Sequence, residues 1–167
     1  MSTELNDKAA VEQELWEAIE ETRFGMLAPI APAADHFQPM TSFPEPEGGK
    51  IWFYTRRTAD IAVASEGGVE AMYVFMSKDR KMQASIRGRL RSAPDTVHRD
   101  KYWNPVVAAW YPDGKDDAEL TMLCFDCEDA HVWVTANNPV QFGWEIAKAN
   151  LTHTTPDLGG KVKLSLE

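Results

Sequence analysis

The amino-acid sequence predicts a mainly β, α+β fold: a closed or partly closed barrel of about seven short antiparallel strands under helical covers. Three observations predict it. Met82, Ala84, Ile86, Gly88 and Leu90 alternate with Gln83, Ser85, Arg87, Arg89 and Arg91, the period of a half-buried strand. Short apolar runs recur along the chain, separated by turns such as Lys78-Asp79-Arg80 that suit antiparallel joins. Helical spacing is confined to a few stretches, and nothing repeats, so 1–167 reads as a single domain.

The first element is a helix. Val11, Leu15, Ala18 and Ile19 recur at helical spacing among acids and Gln13, with Asn6 or Asp7 as the cap and an end near Thr22. Phe24 to Ile30 is a short strand broken by Pro29 and Pro32. His36 to Phe43 is a second strand, stopped by the turn Pro44-Glu45-Pro46-Glu47-Gly48-Gly49. Ile51-Trp52-Phe53-Tyr54-Thr55 is apolar and aromatic on both faces, which suits a strand buried on both sides. A short helix over Thr58 to Ser65 ends at Gly67-Gly68 and leads to a strand from Val69 to Ser77. The alternating strand Met82 to Arg91 follows, then a helix from Pro94 to Tyr102. Leu120 to Phe125 and His131 to Thr135 are two further strands. Asn138-Pro139 is a cap followed by proline in the first turn, starting a helix that carries Val140, Phe142, Trp144 and Ile146 to about Asn150. After a Gly159-Gly160 turn, Val162, Leu164 and Leu166 alternate in a last strand.

Charge narrows the function classes. With 26 Asp and Glu against 17 Lys and Arg, the net charge is −9, which repels polyanions and excludes nucleic acid as a partner. No apolar run approaches the roughly 20 residues needed to cross a bilayer, so no membrane partner is expected. Met1 to Lys8 is polar and acidic, unlike a secretory leader, and the expected location is cytoplasmic.

The usual catalytic signatures are missing. There is no phosphate-binding glycine loop and no G-x-S-x-G elbow. His36, His98, His131 and His153 are scattered and read as surface or structural residues. Asp116-Asp117 reads as solvated. Cys124 and Cys127 form one C-x-x-C, but in a strand a spacing of three sends them to opposite faces, so they read as buried free thiols. The sequence therefore offers no catalytic residue and no metal site. What it does offer is a scaffold rich in aromatic rings with arginines grouped at Arg56-Arg57 and Arg87 to Arg91. Flat apolar surface and cations together are what a phosphorylated ring such as a flavin needs. For the stripe Arg87 to Arg91, a plain solvent face is an equal reading.

The most specific pattern is Trp103-Asn104-Pro105, then Trp110-Tyr111-Pro112-Asp113-Gly114-Lys115-Asp116-Asp117 and Leu120. Proline and glycine fix the path of this connection, so its rings are held and not loose. It resembles the general stress protein branch of the pyridoxamine 5'-phosphate oxidase-like family, and the resemblance runs from Leu15 to the tail. That resemblance implies an FMN-binding split barrel acting as a homodimer, with each flavin site shared between subunits and Trp110 near the partner. It implies flavin-dependent oxidoreduction, or flavin holding in a stress response, on an unknown substrate.

Carried over residue by residue, the family's site falls on Gln38, Pro39, Met40, Tyr54, Thr55, Arg56, Arg57, Thr58, Trp110 and Trp133. Two segments depart from the pattern. The family's R-P-M arginine, a phosphate contact, is Gln38 here. In F-x-T-x-R-x-S-x-K, Thr55 and Arg57 are kept, but Ala59 and Ile61 stand where Ser and Lys are expected. Each lost charge-assisted contact is worth roughly 1–3 kcal/mol, so FMN is expected to bind weakly unless Arg56 or one of Arg87 to Arg91 compensates. Two alternatives stay open: a non-enzymatic barrel with a degenerate phosphate site, or a pocket for another aromatic ligand such as a tetrapyrrole or a quinone-like compound.

Overall fold

The computed structural model describes residues 3–4, 8–135, 139–155 and 159–167. The caps expected at Asn6 or Asp7 and at Asn138, and the side chains of Val140 and Phe142, lie outside the described residues. In chain order the elements are strand β1 (Thr3–Glu4), helix α1 (Lys8–Thr22), β2 (Phe24–Ala31), β3 (Gln38–Thr41), β4 (Phe43–Glu45) and β5 (Lys50–Arg56). There follow α2 (Asp60–Ala64), β6 (Val69–Met76), β7 (Met82–Ser92), α3 (Thr96–Tyr102), α4 (Pro105–Ala109), β8 (Leu120–Thr135), α5 (Pro139–Thr152) and β9 (Gly159–Ser165).

The strands form one sheet in the order β1-β9-β8-β7-β6-β2-β3, with β5 also on β8 and β4 on β5. The pairing of β1 with β9 is parallel, and the others among the described residues are antiparallel. β3 comes back against β5 and curls the sheet into a half-barrel. The expected antiparallel barrel with helical covers is the fold observed. β7 realises its pattern almost residue for residue: Met82, Ala84, Ile86, Gly88 and Leu90 are buried, and their neighbours are not.

Alternation along β5 and β8 creates two apolar clusters. Ile51 and Phe53 meet Leu123, Phe125 and Cys127 in the barrel interior, together with Leu27, Tyr73, Ile86 and Val132. α1 adds Val11, Leu15, Trp16 and Ile19 to this same cluster, the face its spacing predicts. The other faces of the two strands, Trp52, Leu120, Met122 and Cys124, join Phe43, Val107 and Tyr111 in a second cluster. The doubly apolar run from Ile51 to Thr55 is thereby explained.

Four details differ from the expectation. β8 is one strand of 16 residues, where a break was expected between Phe125 and His131. The polar stretch there is a bulge: Arg87 pairs with Asp129 while the next residue, Gly88, pairs with Cys127. A Cβ on Gly88 would sit 2.2 Å from the Asp126 carbonyl oxygen, so the close approach needs glycine. β2 continues past Pro29 to Ala31 through a register shift, and the Pro29 carbonyl accepts the Asp35 amide at 3.1 Å instead of a β6 amide. The expected strand from His36 to Phe43 is two strands on different neighbours, β3 on β2 and β4 on β5. Finally, the short parallel β1 had no signal in the sequence. No helix among the described residues is long and apolar enough to cross a membrane.

Candidate functional site

A cleft of about 660 Å³ opens between the curled sheet and the segment that follows α3. Its floor is Pro39, Met40 and Thr41 of β3, Phe43 of β4, and Tyr54, Thr55 and Arg56 of β5. Its far wall is Asn104 to Val107, Trp110 and Tyr111, and Arg23 stands at the edge.

The far wall is ordered by local capping. Asp95 accepts the amides of Val97 at 2.8 Å and His98 at 3.0 Å, which starts α3. Asn104 accepts those of Val106 at 2.9 Å and Val107 at 3.0 Å, and Pro105 opens α4. Trp103-Asn104-Pro105 is thus a helix start, not only a held connection. The Asn-Pro logic that marks residue 138 was available at 104 as well. Gly114, at φ 76°, turns the chain back, and the loop is tied to α3 by Arg99, which donates to the Lys115 carbonyl at 3.0 Å.

Rings support the wall from beneath. Phe43 meets Tyr54 edge-on at 5.4 Å and Tyr102 at 5.3 Å, and Trp103 lies 6.3 Å from Tyr111. The Tyr54 hydroxyl donates to the Arg99 carbonyl, and burial pushes its pKa well above the ordinary phenol value. Burial also raises the pKa of Tyr111. His98 stacks on Trp52 at 3.9 Å and meets Glu45 at 2.7 Å, which docks α3 on the sheet.

Six of the residues expected at the site are brought together here: Pro39, Met40, Tyr54, Thr55, Arg56 and Trp110. Four are placed elsewhere. Gln38 is at the margin, its amide nitrogen 3.4 Å from the Met40 sulfur. Arg57 lies in the turn just after β5 and donates to the Ala118 carbonyl at 2.9 Å. Thr58 lies 3.5 Å from a Glu119 carboxylate oxygen. Trp133 sits across the sheet with the Lys161 ammonium 5.3 Å from its ring.

The arginine stripe of β7 is a solvent face. Arg87 pairs with Asp129 at 2.7 Å, Arg89 donates to the Gly68 carbonyl at 3.1 Å, and Arg91 pairs with Asp126 at 2.9 Å. None of the three lines the cleft of the single chain. Arg23, Thr41, Phe43, Asn104, Pro105, Val106, Val107 and Tyr111 line the cleft without having been expected there. Only Asn104-Pro105 carried a local signal.

The cleft's chemistry is unlike that of the rest of the surface. The chain carries 26 acids, yet the described lining contains no Asp or Glu and two arginines, Arg23 and Arg56. Arg56 donates to the Trp110 carbonyl at 3.2 Å and lies 5.8 Å from the Tyr111 ring. Apolar walls suit a flat ring, and a guanidinium suits an anionic group. The described residues hold no cluster able to bind a metal. Cys124 and Cys127 are buried free thiols in different clusters, as the spacing implied, and burial raises both, Cys124 to about 12. Burial thus disfavours the thiolate in both.

Comparison with known proteins finds relatives of this fold. The family model described as pyridoxamine 5'-phosphate oxidase like matches residues 10–157. No curated protein matches. Among solved structures, the chain resembles a candidate general stress protein 26 of Jannaschia sp. CCS1, with a TM-score of 0.79 and 28% identity over 94% of this chain and 99% of that one. It also resembles the general stress FMN/FAD binding protein of Xanthomonas citri, with a TM-score of 0.72 and 34% identity over 78% of this chain and 92% of that one.

Proposed function

The chain belongs to the pyridoxamine 5'-phosphate oxidase-like family, and from that premise we propose that the cleft binds a flavin, FMN before others, for oxidoreduction in a general stress protein role. One observation carries the reading: an aromatic cleft lined by two arginines and by no described acid, in a protein of net charge −9. The FMN/FAD binding named for the Xanthomonas citri protein supports it. A bound flavin supplies the electron transfer. The chain's own residues bind and shield. Arg56 offers a guanidinium to the phosphate, Met40, Phe43 and Val107 offer apolar surface to the ring, and Trp110 with Tyr111 keeps water from one side.

The same proposal includes a homodimer working in the cytoplasm. Val106 and Trp110 line the cleft yet are 72% and 68% exposed, an apolar rim that a second copy would cover. Sedimentation should show a dimer at micromolar concentration; a stable monomer there counts against it.

A second reading has its own support. Ile61 is 3% exposed and packed in the barrel core, and Ala59 makes no side-chain cap on α2, so the positions of the family's Ser and Lys offer an anion nothing. A barrel with a degenerate phosphate site, or one holding another aromatic ligand, is that second reading. The visible spectrum of the purified protein, with FMN and riboflavin titrations followed by flavin fluorescence, separates the two. A releasable yellow chromophore with FMN favoured over riboflavin supports the first. A colourless protein that quenches neither flavin overturns it.

A further inference from the structure

A second, open groove of about 710 Å³ lies where β5, β7 and the start of α3 meet, and it shares no lining residue with the cleft. Two cations line it, Lys50 of β5 and Arg91 of β7. Both rest on a single carboxylate. One oxygen of Asp126 takes the Lys50 ammonium at 2.7 Å, and the other takes the Arg91 Nε at 2.9 Å. That leaves a unit of positive charge over, and Asp126 itself is not in the lining.

The groove also holds more hydrogen-bond donors than the fold uses. Arg91 bonds through its Nε alone, so its two terminal nitrogens have no acceptor among the described residues. The hydroxyls of Ser92 and Thr96, in the same lining, likewise bond to no described protein group. The acid of the lining, Asp95, is already engaged. One of its oxygens accepts the amides of Val97 and His98, and the other lies 3.1 Å from the His98 Nδ1. Glu45, on the other nitrogen of His98, does not line the groove.

An independent pointer comes from Trp52, also in this lining. It is 3% exposed, and its indole N–H is buried without a partner. Buried donors are normally satisfied, so one left over among free cationic donors calls for an acceptor from outside the chain. An arginine fork with a lysine and hydroxyls suits the several oxygens of a phosphate dianion.

We propose that this groove is a second anion site, of the phosphate class, independent of what the cleft holds. Arg91 and Lys50 bind the anion, Ser92 and Thr96 add hydrogen bonds, and Asp126 is the counter-ion that the anion must share. The probes are inorganic phosphate and phenyl phosphate, titrated into isotope-labelled protein and read from the NMR shifts of amide and indole N–H groups. Phosphate should shift Ser92, Thr96 and the Trp52 indole, and binding should weaken in high salt. Arg91→Gln should weaken it about tenfold, and Arg56→Gln, which alters the cleft, should leave it unchanged. Ser92→Ala, which removes no protein hydrogen bond, should weaken it severalfold and serves if Arg91→Gln does not fold. Asp126→Asn should tighten phosphate severalfold, because the competing carboxylate is gone; a purely structural role for the cluster gives no gain. A tighter phenyl phosphate marks a phosphate ester as the ligand, and an equal or weaker one marks the free ion. The proposal is overturned if millimolar phosphate shifts none of these groups, or shifts only Asn104 and Trp110 of the cleft. An affinity indifferent to both Arg91→Gln and Ser92→Ala overturns it too.

Discussion

The barrel interior and the cleft wall share two strands and are held by different forces. The interior closes on itself with apolar contacts and one buried hydroxyl pair, Tyr73 with Ser42 at 3.1 Å. The cleft wall is a smaller apolar cluster whose shape depends on helix caps, the Tyr54 bond to Arg99, and the ion pairs around α3. A close-packed interior resists change and is indifferent to salt. A wall tied by polar contacts is weaker and adjustable, and it responds to pH and ionic strength. The scaffold and the cleft surface are therefore held by separate contacts although adjacent in sequence, because alternate residues of β5 and β8 serve one or the other.

The contrast is broken or sharpened most strongly by truncation on each side. Phe53, fully buried in the interior, should cost about 3–5 kcal/mol as Phe53→Ala in urea unfolding. Val107, the buried residue of the five-residue helix α4, should cost about 1–2 kcal/mol as Val107→Ala. Equal losses would show that the two regions are one stiff unit.

The next effect is at the cap. Asn104→Ala removes the acceptor for two α4 amides and should cost about 1 kcal/mol. It should also weaken FMN by fluorescence titration, since α4 is the far wall. Asn104→Asp keeps the acceptor and should preserve both properties. An unchanged urea midpoint in Asn104→Ala would mean that the cap does not hold the wall.

The interior was largely legible in the sequence and the cleft only partly so, for a physical reason. Interior residues obey period two or period 3.6, so β7 and α1 announce their buried faces locally. The floor of the cleft followed from the resemblance at Pro39-Met40 and Tyr54-Thr55-Arg56. Arg23 was illegible because it reaches the cleft through the pairing of β2 with β3, which is not a local property. The continuity of β8 was hidden for a related reason. Asp126, Glu128 and Asp129 look like a loop until Lys50, Arg87 and Arg91 from neighbouring strands are seen opposite two of them. Gln38, Arg57, Thr58 and Trp133, carried over from the resemblance as site positions, stand outside the described cleft lining.

A smaller effect separates the regions by pH. Burial acts to raise the pKa of Asp126, but hydrogen bonds from Lys50 and Arg91, with their charges, hold it below the ordinary carboxylate value. A carboxylate with a depressed folded pKa stabilises fully above its unfolded pKa of about 3.9, and that contribution disappears as pH falls through the folded value. The stability gap between wild type and Asp126→Asn should accordingly be constant near neutral pH and close below about pH 4. A gap that instead widens in acid would show that the three-charge cluster is not what holds β5, β7 and β8 at the bulge.

The smallest effect is expected at Arg87. It occupies the same outward row of β7 as Arg91, and its guanidinium meets Asp129 at 2.7 and 3.0 Å. The two side chains are 54% and 37% exposed, so water already solvates both charges and salt screens their attraction. Holding two long side chains in one geometry offsets what attraction remains. Arg87→Gln should leave the urea midpoint unchanged at low and at high salt, and should leave the ratio of FMN to riboflavin affinity at the wild-type value. Arg56→Gln should lower that ratio in the same assay. Arginines of one chain are thus not equivalent: Arg87 and Arg91 are paired with acids across the sheet, whereas Arg56 lines the cleft. A fall in FMN affinity with Arg87→Gln would place the β7 stripe at the phosphate and erase the division between the two faces.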